Sequence, residues 1–165
     1  MLRHVQDFEK AWQYESEMTL KLFGNLTDAA LAQRVTPQGR SLGKLAWHLV
    51  VSLNMITEAG LPIAAPQDDN AVPTTVAEII AAYKAGAASV RAQVTQYWPD
   101  AVLLEEVPMY GEQWAKGYVL WAMLLHQTHH RAQMTVLMRQ AGLRVPGIYG
   151  PAREEWADMN MPPLE

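Results

Sequence analysis

The chain has 165 residues, half of them apolar and 18% charged, with a net charge of −4 and no cysteine. This length suits one domain, residues 1–165, with a core of its own. The missing thiols exclude disulfides, cysteine nucleophiles and thiolate metal sites, and the acidic balance argues against a nucleic-acid binder.

Helical periodicity dominates, and no alternating strand or hairpin signal stands out. Val5, Phe8, Trp12 and Met18 predict a first helix over about residues 2–23, closed by Gly24 and Asn25. Thr27-Asp28 then heads a short helical turn. Ser41 is the expected cap of a second helix that runs to Gly60. Residues 61–73 hold three prolines and no periodicity, which suits a long crossover. Thr75 with Glu78 forms a capping box for a third helix that ends before Pro99. Residues 100–116 read as irregular. A fourth helix is predicted from about Gly117 to Ala141, with Gly142 as its stop, and the tail reads as loop with a helical turn after Pro151. The expected fold is therefore all-α: a four-helix bundle with a long crossover between helices 2 and 3.

Three of the five histidines lie within the segment "HQTHH", residues 126–130. At about 100° per residue, His130 falls about 40° from His126, while His129 stands about 60° to the other side. The pair at i and i+4 thus shares the face read as inward, a spacing that lets two imidazoles reach one ion. Gln133 falls beside His126, and Arg131 is expected on the outer face. Two imidazoles need a third ligand from elsewhere. His48, in the middle of the second helix at the edge of its buried face, is the candidate. A lone buried histidine is more often a hydrogen-bonded core residue than a ligand. Three converging imidazoles change that balance, because each costs free energy when buried without a partner. His4, near the N-terminus, reads as a solvated residue.

The segment "HQTHHRAQMTVLMRQAGLRVPGIYG" resembles the signature end of the DinB-like family, which includes the YfiT-type proteins. The family pattern places a histidine, three residues, then His-Arg-Gly-Gln, followed by Leu-Arg, Gly, Pro and Tyr. Here the matching residues are His126, His130, Arg131, Ala132, Gln133, Arg139, Gly142, Pro146 and Tyr149. "SLGKLAWHL" matches the stretch that carries the family's other metal histidine, giving Ser41 and His48. Ala132 departs from the usual glycine, away from the face of the histidines.

The resemblance implies a four-helix bundle, often a homodimer, with a divalent metal held by His48, His126 and His130, nickel or zinc most often. Several relatives transfer low-molecular-weight thiols or isomerise thiol adducts, so a thiol S-transferase is the expected function, with a metal-dependent hydrolase or a non-enzymatic stress-response binding protein as alternatives. Three neutral histidines leave coordination positions open for a small-molecule substrate. No catalytic base stands out; Glu58, about two and a half turns after His48, reads as exposed, and Glu112 and Tyr110 are candidates for a pocket mouth. Trp47 and Trp121 read as bundle core or dimer surface, and Tyr149 as a residue that packs the tail on the bundle. The N-terminal segment lacks the apolar stretch of a signal peptide, and no run spans a membrane, so a cytoplasmic location is expected.

Overall fold

The computed structural model describes residues 2–162. Its helices are α1 (Val5–Phe23), α2 (Leu42–Val51), α3 (Met55–Glu58), α4 (Val76–Tyr97) and α5 (Lys116–Gln140). A 3-10 turn, Ser52–Asn54, joins α2 to α3, so these form one bent rod, the second helix of a four-helix bundle. The bend has a local cause. Ser52 Oγ donates to the Leu49 carbonyl and Asn54 Nδ2 to the Val51 carbonyl, drawing backbone acceptors away from the regular ladder. Among the described residues no helix is long and apolar enough to cross a membrane.

The expected helix ends are in place. Ser41 Oγ accepts from the Lys44 N–H and caps α2. Thr75 Oγ1 accepts from the Glu78 N–H and caps α4, and its hydroxyl, in place of the backbone N–H of a full capping box, donates to the Glu78 carboxylate. Gly142 takes φ +71, the left-handed stop of α5. His4 is exposed but paired: its Nδ1 lies 2.9 Å from Asp100 Oδ2.

Direction follows from who meets whom. α1 and α2 each pack against both α4 and α5. Asp28, in the 3-10 turn Asp28–Ala32 that packs on α2, caps the α4 N-terminus by accepting from the Val76 N–H. Gly86 lies against Leu53 further along. α2 and α4 therefore start at one end and run in parallel. A crossover between parallel neighbours must travel back along the bundle, and this one descends beside α2. Asn54 Nδ2 meets the Pro66 carbonyl, Trp47 Nε1 the Asp68 carbonyl, and Lys44 the Asp69 carboxylate.

Two expectations fail. Residues 100–116 are not irregular: after a 3-10 turn (Asp100–Leu104), β1 (Glu106–Met109) and β2 (Glu112–Ala115) form an antiparallel hairpin. Its two-residue turn, Tyr110-Gly111, has positive φ at both positions, as a type I′ turn requires. The strands are four residues long and one contains Pro108, so the alternation is too brief to read.

The second correction concerns Arg131, expected outside and found 1% exposed. The buried face of α5 centres on Gln127, about 100° around the helix from His126. Gln133 accordingly lies at the surface, while Trp121, Leu125 and Val136 occupy the outer face. Arg131 is compensated by distant partners. Its guanidinium binds the Glu15 carboxylate and carbonyl, Thr19 Oγ1 at 2.9 Å, and the Tyr149 hydroxyl at 2.7 Å. Tyr149 in turn donates to Glu15, so this node fastens the C-terminal segment to α1 and α5.

Breaking a buried ion pair by deleting one partner costs about 3–5 kcal/mol, because the other charge stays buried. Arg131→Ala is expected to lower stability by about that amount in denaturant unfolding. Tyr149→Phe is expected to cost about 1.5 kcal/mol, a bond to a charged group. The double variant should show less than the sum. A loss under about 0.5 kcal/mol for Arg131→Ala, the range of ordinary surface substitutions, would contradict this assignment.

Candidate metal centre

Two helices bring the histidines together. α2 carries His48 and α5 carries His126 and His130, and a buried amide aligns them. Gln127 Nε2 donates to the Leu49 carbonyl at 3.0 Å and to Ser52 Oγ at 3.2 Å, while its Oε1 accepts from the Tyr83 hydroxyl at 3.0 Å. Gln127 is fully buried, so leaving these bonds unmade would cost about 1–3 kcal/mol. That penalty favours one register between α2 and α5.

The three ring nitrogens converge. His126 Nε2 lies 3.3 Å from His48 Nε2 and 3.2 Å from His130 Nε2. The ligand atoms of the three histidines all fall within 4.8 Å of one another. Two nitrogens bound at about 2.0–2.1 Å to one ion in tetrahedral geometry stand roughly 3.3–3.4 Å apart. The observed spacings match that edge, so the trio could hold a metal ion.

The outer ring nitrogens settle which way the lone pairs face. His48 Nδ1 lies 3.0 Å from Asp69 Oδ1, and a carboxylate only accepts, so Nδ1 carries the proton. His130 Nδ1 lies 2.8 Å from Gln133 Oε1 and donates to that oxygen. Both Nε2 atoms therefore direct lone pairs at the centre. His126 Nε2–H could serve only one of them well, and His126 Nδ1 is buried without a partner. A cation on the three Nε2 atoms takes up all three converging lone pairs at once; His126 then carries its proton on Nδ1, which has no partner with or without the ion.

Protonation is disfavoured here as well. Burial, then the neighbouring His130 and His48, pushes the His126 pKa down to about 4. Burial also lowers His130, partly opposed by the bond to Gln133. These imidazoles are neutral at pH 7, the form that binds metal. Burial alone would raise the Asp69 carboxyl, but bonds from Lys44 and His48 outweigh it and hold it below the ordinary value. Lys44 Nζ sits 2.7 Å from Asp69 Oδ2.

The sequence brings forward His48, His126 and His130, and the structure places all three at one point. His129 stands aside, 3.0 Å from the Gln133 amide nitrogen. Gln133, expected on the inward face beside His126, is exposed and bonds the outer nitrogen of His130. Asp69 was missed. It belongs to an aperiodic loop, and only the path of the crossover along α2 puts it beside His48. A cavity of about 440 Å³ opens onto His48 and His126, with Tyr110 in its wall as expected for a mouth; Glu58, expected only to be exposed, lines it too, and Glu112 does not. Trp47 is core, and Trp121 is 39% exposed.

The fold and this centre define a class: helical bundles whose facing helices bring three imidazoles together. The chain belongs to the DinB family, whose profile matches residues 1–164. It is 45% identical to YrdA, an uncharacterized protein of Bacillus subtilis (strain 168), over 98% of this chain and 97% of that one. It is 35% identical to a DinB-like protein of Bacillus cereus of known crystal structure, with a TM-score of 0.87 over 90% of this chain and all of the other. The DinB-like protein YjoA of Bacillus subtilis shares the fold, with a TM-score of 0.67 over 88% of this chain and 99% of the other, at 13% identity.

Losing the partner of a ligand histidine typically costs 10–100-fold in metal affinity. Asp69→Ala is therefore expected to weaken zinc binding in competition titrations by about tenfold or more, with the melting temperature of the metal-free protein little changed. Wild-type affinity in Asp69→Ala would contradict the role given to this carboxylate.

Proposed function

We propose that the chain is a divalent-metal-dependent enzyme of the thiol S-transferase type, with His48, His126 and His130 as the metal ligands and nickel or zinc as the metal. The observation that carries this reading is the convergence of three Nε2 atoms beside a cavity of about 440 Å³. Three neutral nitrogen ligands leave positions open, the pattern of catalytic rather than structural sites. When bound, the ion would supply Lewis acidity and stabilise a thiolate or hydroxide near neutral pH.

The chain's own residues do the rest. His48 and His130 keep their outer protons on Asp69 and Gln133, so their inner nitrogens stay available. The cavity admits a small substrate next to His48 and His126. The absence of cysteine means that the nucleophilic sulfur arrives with a low-molecular-weight cosubstrate. A homodimer is part of this proposal. Tyr118, Trp121, Leu125 and Val136 lie exposed along one face of α5, an apolar stripe suited to a second copy. A cytoplasmic location fits a partner thiol kept reduced.

Elemental analysis is expected to find about one equivalent of divalent metal per chain, abolished in His48→Ala or His126→Ala. The loaded protein should conjugate a thiol to an electrophile such as chlorodinitrobenzene, and should sediment at twice the 18.5 kDa of one chain. Under a tenth of an equivalent, with no uptake of added zinc or nickel, would refute the metal centre. Full loading without turnover across a panel of thiols and electrophiles would leave a binding protein. Hydrolysis of an ester panel in place of conjugation would make it a hydrolase, and a mass of one chain would remove the dimer.

A further inference from the structure

The cavity beside the histidines is uneven in charge. Its acidic lining residues are Asp69 and Glu58, and no lysine or arginine lines it. Asp69 is already neutralised by Lys44 and bonded to His48. Glu58 has no ion-pair partner among the described residues. Arg40 lies on the far side of the histidines, in a separate depression with Gln133. One carboxylate in this cavity is thus left without a cation.

Glu58 closes α3, ten residues after His48 on the same bent rod. At about 1.5 Å per residue this is roughly 15 Å along the axis, and helical side chains lean back toward the N-terminus. Glu58 lines the same cavity as His48 and His126, about that far along it.

Tyr110, at the tip of the hairpin, also lines this cavity. Its φ is +51, a left-handed conformation that the first position of a type I′ turn gives to asparagine or glycine. A bulky side chain there costs about 1 kcal/mol or more of backbone strain. Tyr110 is 70% exposed, and its ring packs on that of Trp114, with centroids 5.5 Å apart, which holds it at the cavity wall. Partial burial and the nearby Glu58 carboxylate both raise the Tyr110 hydroxyl pKa, which marks the two side chains as neighbours. An aromatic face beside an unpaired carboxylate is the setting in which an ammonium group is held by charge and by the ring together.

We propose that the cavity takes a ligand carrying an ammonium group, held at the mouth between Glu58 and Tyr110. Joined to the reading of the three histidines as a metal centre, on which this extension rests, the preferred cosubstrate is an amine-bearing thiol with sulfur toward the histidines and nitrogen toward Glu58. Anionic thiols of the same length are disfavoured.

The test compares aminohexanethiol, mercaptohexanol and mercaptohexanoate on zinc-loaded protein, followed through the Tyr110 amide and ring resonances. The amine is expected to bind about tenfold tighter than the carboxylate, with the alcohol between. Glu58→Gln should shrink that gap to about twofold and Glu58→Lys should reverse it; Glu58 is exposed, so both variants should fold. Butylammonium and butyrate are compared on the metal-free protein, and zinc uptake is measured on the same samples. If zinc is not taken up but butylammonium still perturbs Tyr110 more than butyrate, the mouth stands and the metal centre falls. If zinc is taken up and the carboxylate probes bind as well as the amines, or Glu58→Lys leaves the order unchanged, the proposal is overturned.

Discussion

Parallel packing of α2 and α4 is the constraint from which the site follows. Two parallel neighbours cannot be joined by a tight turn, so residues 59–75 have to return along the outside of the bundle. They do so against α2, tied by Asn54, Trp47 and Lys44. That path delivers Asp69 to the outer nitrogen of His48 and supplies one wall of the cavity. The bend at Ser52–Asn54 then separates two roles on a single rod. His48 lies before it, facing the centre, and Glu58 lies after it, at the mouth.

α5 is the other half of the arrangement, and its polar residues point to different neighbours. His126 and His130 face α2, Gln127 reaches α2 and α4, and Arg131 reaches α1 and the tail. The Gln127 amide and the terminal nitrogens of Arg131 find their partners elsewhere in the chain, so a helix with little segregation of polar from apolar residues can still be mostly enclosed. The fastening of Tyr149 and the alignment of the histidines are adjacent on this helix, and Arg131 stands about 100° around it from His130, so the two reach different neighbours. Damage to the first should loosen the tail while leaving the ring nitrogens able to converge.

What the sequence made legible was local. The serine cap, the capping box and the glycine stop need only a few neighbours, and the (i, i+4) histidines follow from helical geometry. His48 was readable as a polar residue on an otherwise apolar face. The remainder depended on distance. The partner that makes Arg131 an interior residue, Glu15, is 116 positions away. Asp69 had no periodicity to locate it. The hairpin offered two strands of four residues with a proline in one, and a Tyr-Gly turn in place of the favoured Asn-Gly. Apolar side chains on the outer face of α5 rotated the inferred inward direction away from Gln127 and toward His126.

X-ray absorption at the metal edge of nickel- or zinc-loaded protein reads the coordination shell itself. Three imidazole nitrogens at about 2.0–2.1 Å are expected, with the outer-shell scattering of the rings, plus oxygen ligands in the open positions. His130→Ala should remove one ring from that shell. A first shell dominated by carboxylate oxygen, or one unchanged in His130→Ala, would contradict the three-histidine centre.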